Sequence, residues 1–129
     1  MKTTEETPAR RVDEDAVRAA ALDYFEGWFE GDPVRMDRAL HRQLSKGSLA
    51  DDGDGLDRLS KDDMVDATAR GVGRSRKASV GDPRIEVEVD DVYGRIASVT
   101  VRSALYHEYL HLVRTAEGWR IANTLWQWT

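Results

Sequence analysis

The spacing of apolar residues changes once along the chain, near Asp82. Before it, apolar positions recur every three to four residues; after it, they alternate. Val17, Ala20, Ala21, Tyr24, Phe25, Trp28 and Phe29 make one wide helical face, with Arg18, Asp23, Glu26 and Glu30 opposite. Asp13 or Asp15 can cap this helix, which runs to about Glu30. Gly31 ends it, and Asp32-Pro33 opens a second, short helix to about Arg42 that turns Met36, Ala39 and Leu40 inward. Ser60 followed by Asp63 is a capping box for a third, Lys61 to about Arg70, with Met64, Val65 and Thr68 inward. Between the second and third, Leu44 to Leu59 is a connector whose leucines can pin a small irregular hairpin.

After Asp82, Ile85, Val87 and Val89 alternate with Glu86, Glu88 and Asp90, the pattern of a half-buried strand. Tyr93-Gly94 turns the chain, and Ile96 to Arg102 returns. Tyr106 to Thr115 and Trp119 to Trp128 form a hairpin closed by Thr-Ala-Glu-Gly, with Gly118 in the left-handed region. The expected order is three helices followed by a four-strand antiparallel meander, an α+β plan with helices on one face of a curved sheet. With Thr115 opposite Trp119, one face of the hairpin carries Val113/Ile121, His111/Asn123 and Tyr109/Leu125. The other carries Leu112/Ala122, Glu108/Trp126 and Tyr106/Trp128. Neither face is polar, and the helices can cover only one. The remaining face predicts a homodimer joined through the outer sheet face, including Trp126 and Trp128. The competing expectation is that these indoles pack under the N-terminal segment.

Composition narrows the chemistry. A chain of 129 residues is of single-domain size; residues 1–11 read as a disordered tail and 12–129 as the domain. Net charge is −5 with the signs interspersed, so no basic stripe marks a nucleic-acid footprint, and Arg74-Ser-Arg-Lys77 reads as a solubilising loop. No apolar run suits a membrane span, and the polar N-terminal stretch lacks a signal-like core, so the expected location is cytoplasmic. Without cysteine, disulfides and thiolate chemistry are excluded. Three histidines without ligand-like spacing give no metal site, and no cofactor is implied. Asp51-Asp-Gly-Asp-Gly55 lacks the ligand spacing of a calcium loop.

Several residue groups together are similar to one known family. They are Glu26-Gly-Trp-Phe-Glu-Gly-Asp32, Ala39-Leu-His41, Tyr106-x-Glu-Tyr-Leu-x-Leu112, Gly118-Trp-x-Ile-x-Asn123 and Trp126. The family is the nuclear transport factor 2-like superfamily, in the branch labelled "putative lumazine-binding" beside SnoaL-like polyketide cyclases. The resemblance implies a cone-shaped α+β barrel, usually dimeric, whose sheet curls around a pocket closed by helices. It also implies proton-transfer chemistry by pocket Tyr, Asp and His in the enzymes of the group, ketosteroid isomerase and scytalone dehydratase among them. Many relatives are binding or accessory modules, so fold alone does not choose. By resemblance Tyr24 is the counterpart of a helical catalytic tyrosine.

The expected site is therefore His111 as acid or base, Asn123 orienting it and Tyr24 polarising a carbonyl. Trp28, Met36, His41, Met64, Tyr109 and Leu125 complete a pocket for a small hydrophobic or aromatic molecule. Two plainer readings stand beside it: His111 satisfied by a cross-strand amide, and a non-catalytic dimerisation or interaction module with an incidental cavity. No carboxylate falls on the expected pocket face. Asp37, Asp63 and Asp66 sit on polar helix sides, and Glu108 lies on the dimer face unless a strand bulge near Ser103 turns it inward.

Overall fold

The structure, a computed structural model, describes residues 8–129. The expected tail lies outside the described residues over 1–7; from Pro8 onward the chain is already helical. Helix α1 (Pro8–Glu30) buries the seven apolar residues predicted for its inner face. Asp32 caps α2 (Pro33–Ala39) by accepting from the backbone N of Val34 and Arg35 at 3.0 and 3.2 Å. Ser60 and Asp63 form the reciprocal capping box of α3 (Lys61–Ala69).

A fourth short helix, α4 (Val72–Ala78), occupies the stretch expected to be a basic loop. It lies hard against α1. A Cβ on Gly73 would sit 2.3 Å from the Trp28 carbonyl oxygen and 2.6 Å from its indole. Only glycine permits that approach.

The connector is also more ordered than its pattern suggests. Strand β1 (Leu40–Leu49) and β2 (Leu56–Leu59) form an antiparallel hairpin, and α2 ends early because Leu40 enters β1. The meander follows as β3 (Glu86–Tyr93), β4 (Ile96–Arg102), β5 (Tyr106–Thr115) and β6 (Gly118–Trp128). Sheet order is β2-β1-β6-β5-β4-β3, with β1 running parallel to β6 and every other pair antiparallel. Three register irregularities, in β1/β6, β3/β4 and β5/β6, bend this open sheet around the helices. The α+β plan with helices on one face of a curved sheet holds, enlarged by one helix and two strands.

The β5/β6 irregularity settles which side chains point inward. Thr115 sits opposite Gly118 rather than Trp119; its Oγ1 donates to the Gly118 carbonyl at 2.8 Å, and Gly118 has φ 111°. A bulge at Ala122 then lets Leu112 oppose Ile121 while His111 opposes Asn123. Beyond it the expected partners recur: Tyr109/Leu125, Glu108/Trp126 and Tyr106/Trp128. Their sides are exchanged, however. Tyr106, Glu108, Leu110 and Leu112 are buried toward the helices, whereas Tyr109 and His111 are exposed on the convex side. The bulge separates Ile121 from the side of Asn123, which breaks the parity from which the pocket face was counted. Trp126 and Trp128 follow Tyr106 to the concave side, where both rings pack on the Tyr106 ring, so the expected outer seam does not contain them.

The core lies between α1 and the sheet, with Phe25, Phe29, Leu40, Leu110, Leu112 and Ile121 almost fully buried. Each such side chain contributes about 1.5–3 kcal/mol relative to exposure. Among the described residues, no helix is long and apolar enough to cross a membrane.

Candidate ligand cavity and its buried proton network

Where α1, α3 and α4 meet β1, β5 and β6, they leave a cavity of about 320 Å³. Its walls are unequal. Phe25, Trp28, Met64, Val72 and Trp126 make it largely apolar, while Tyr24, Lys46 and Glu108 bring three polar heads into it. Tyr24 arrives from the inner face of α1, Lys46 from β1 and Glu108 from β5, so the cluster exists only in the folded chain.

The three heads bond to one another. Tyr24 Oη donates to Glu108 Oε2 at 2.6 Å, and Lys46 Nζ donates to the same oxygen at 2.8 Å and to Tyr24 Oη. Glu108 is 2% exposed and Lys46 6%. A buried charge without a partner is strongly unfavourable, so each of the two ions requires the other. Burial, reinforced by the Glu108 charge, holds the Tyr24 phenol well above its ordinary value. Burial pushes the Lys46 ammonium below the usual lysine range, against the opposing pull of Glu108. Both shifts come first from removal of water. Glu108 Oε1 accepts no hydrogen bond among the described residues. It is the carboxylate oxygen of the cluster without a protein partner among the described residues.

A second polar group stands at the α4 side of the cavity. Tyr106 Oη accepts from Trp28 Nε1 at 2.9 Å and from Arg76 at 3.2 Å. The Arg76 guanidinium lies over the Trp28 and Trp128 rings, 5.8 and 5.0 Å from their centroids.

The residues expected in the site divide between the two sides of the sheet. Tyr24, Trp28 and Met64 line the cavity. His111 Nδ1 lies 2.9 Å from Asn123 Oδ1, the pairing the register predicts, but both side chains are exposed. They line a shallow convex depression with Tyr93, Ile96 and Ser98, away from Tyr24. Tyr109 and Leu125 are also convex, 55% and 44% exposed. Met36 is fully buried in the core, outside the cavity lining. His41 is the second residue of β1, where its Nδ1 accepts from the backbone N of Gln43 at 3.0 Å, again outside the lining.

Glu108, Lys46, Tyr106 and Arg76 were not expected there. Glu108 did carry a signal, as the one acid alternating with Tyr106, Leu110 and Leu112. Lys46 carried none, because β1 lacks clean alternation. Among the described residues, no group of three or more His, Asp or Glu is placed to hold a metal ion.

Comparison with known proteins places this geometry. No curated protein matches the chain. Solved structures do, at low identity. A protein of unknown function from Shewanella baltica OS155, described as NTF2-like (nuclear transport factor 2-like), superposes with a TM-score of 0.72 at 15% identity. That match covers 97% of this chain and 98% of that one. An NTF2-like protein from Silicibacter pomeroyi DSS-3 gives 0.70 at 16%, covering 96% and 100%. A ketosteroid isomerase-like protein from Erwinia carotovora atroseptica gives 0.56 at 15%, covering 88% and 94%. These likenesses establish the fold. The solved structures give the chain a nuclear transport factor 2-like fold; the model of the family described as "Putative lumazine-binding" matches residues 12–127, and the chain belongs to that family.

Proposed function

We propose that the concave cavity binds a small, flat, partly aromatic molecule and that Glu108, Tyr24 and Lys46 move a proton on it. The observation that carries this reading is the buried Tyr24–Glu108–Lys46 cluster at the wall of a largely apolar cavity. An apolar cavity with a few convergent polar groups and shifted pKa values is the common form of a small-molecule site. In the proposed reaction Glu108 Oε1 takes a proton from a carbon beside a carbonyl. The C–H pair becomes a C=C bond and the carbonyl π pair moves onto the oxygen, where an N–H or O–H of the cluster stabilises it. In a substrate that carries a β,γ C=C bond, the oxygen's pair then reforms the carbonyl, the double bond settles at the α,β position and the γ carbon takes the proton back from Glu108, which makes the net change an isomerisation. Proximity and a dry, prearranged site supply the rate.

A non-catalytic binding module is the second reading, favoured by the way Tyr24, Lys46 and Glu108 satisfy one another. A thermal-shift screen over polycyclic aromatics, steroids and pterins separates the two. A ligand at a hundredfold its Kd stabilises by about 2.7 kcal/mol. Bound compounds that take up solvent deuterium beside the carbonyl with wild type, and not with Glu108→Gln, support catalysis. Binding without exchange supports the module. No shift with any class removes the cavity reading.

The convex face completes the proposal. Exposed Tyr93, Ile96, Tyr109 and Leu125 make it the face through which two copies would join.

A further inference from the structure

We infer that Arg76 and Tyr106 form an anion subsite, so that the cavity's ligand carries a carboxylate or similar group on its aromatic body. The inference rests on the cavity reading above and names the chemical class of its ligand.

The cavity's other cations have carboxylate partners. Lys46 Nζ is 2.8 Å from Glu108, and Arg70 Nε is 2.9 Å from Asp66. Arg76 has no carboxylate within ion-pair distance among the described residues; its side chain's one hydrogen bond goes to the Tyr106 hydroxyl. A guanidinium carries five N–H donors in a planar fork. Stacking on the Trp28 and Trp128 rings fixes that plane without using the remaining donors.

Tyr106 adds the complementary donor. It is 4% exposed and lines the cavity. Its oxygen accepts from both Trp28 and Arg76, and its own hydrogen donates to nothing among the described residues. A half-buried cation and a buried hydroxyl, both with donors to spare, are arranged for an acceptor carrying negative charge. Gly73 keeps the arrangement in place by letting α4 lie against Trp28.

The subsite also has a set distance from the proposed base. Tyr106 and Glu108 are neighbours on one face of β5, a separation of about 7 Å along a strand. The reacting carbon would therefore lie about one aromatic ring away from the anionic group.

Matched probes test this. Binding of benzoate and benzamide, and of 2-naphthoate and 2-naphthamide, is followed by tryptophan fluorescence on the full chain. Wild type should bind the carboxylate of at least one pair roughly tenfold or more tightly than its amide, as one added charge-assisted hydrogen bond provides. Arg76→Gln should bring that preference below about threefold, Arg76→Lys should keep part of it, and Tyr106→Phe should weaken it. Circular dichroism confirms that each variant is folded. Equal binding of acid and amide by wild type, or a preference that survives in a folded Arg76→Gln protein, overturns the anion subsite and leaves the cavity reading standing. Failure of all four probes to bind counts against the cavity reading and the subsite together.

Discussion

The two sides of the β5–β6 hairpin hold similar-looking polar pairs in very different settings. On the concave side Glu108 meets Lys46 and Tyr24 with almost no water; on the convex side His111 meets Asn123 in the open. The hydrogen-bond lengths are comparable. What differs is solvent, and solvent decides the energetics. Removing water raises the stakes of every partner in the first pair and shifts the Tyr24 and Lys46 pKa values, whereas the second pair exchanges freely with water. A hydrogen bond drawn on a register diagram is therefore a poor guide to chemistry until the covered face is known.

Mutations should separate the two sides sharply. Glu108→Ala leaves the Lys46 charge buried and unpaired, and should cost about 3–5 kcal/mol in denaturant unfolding. Lys46→Met with Glu108→Leu should recover most of that loss, because no ion then remains buried. Gly73→Ala comes next. It forces a methyl into the Trp28 carbonyl and indole, and should cost about 1–3 kcal/mol by the same measurement while moving α4.

The Tyr24 pKa shift gives a pH signature. Its folded value is raised, so the unfolded chain releases this proton first as pH climbs. The Tyr24 contribution is thus fully present below about pH 10 and is lost as pH rises toward the folded value. The stability difference between wild type and Tyr24→Phe should shrink above that pH; a difference that stays constant would mean the phenol is not sealed from water. Smallest of all, His111→Phe and Asn123→Leu should each change stability by no more than about 0.5 kcal/mol, the range of exposed substitutions.

The same contrast shows what the sequence can and cannot tell. The inner face of α1 was legible because seven apolar residues repeat at helical spacing, and the caps at Asp32 and Ser60 marked two more helices. The meander was legible from its alternation and its turns. The leucines of 44–59 marked a hairpin, but not the full length of β1 or its parallel pairing with β6, because burial along β1 follows no simple period and β6 is distant in sequence. Losing β1 meant losing Lys46, and without Lys46 an inward Glu108 has no visible counter-ion. The bulge at Ala122 compounded this, since one extra residue exchanges the faces of a strand. Hence the cross-strand pairs from His111 to Tyr106 were right but assigned to the wrong sides, and Leu112 and Val113 were given the wrong partners. Tyr24, Trp28 and Met64, carried by well-marked helices, reached the cavity as expected.

The central claim is that the concave cavity is the ligand site. The most direct measurement is an NMR titration with the compound giving the largest thermal shift, following assigned backbone and side-chain resonances. Shifts concentrated on Tyr24, Lys46, Met64, Glu108 and Trp126, with His111, Asn123 and Tyr109 unmoved, are the expected result. Shifts centred on His111 and Asn123, with the Tyr24–Glu108–Lys46 cluster silent, would contradict the account.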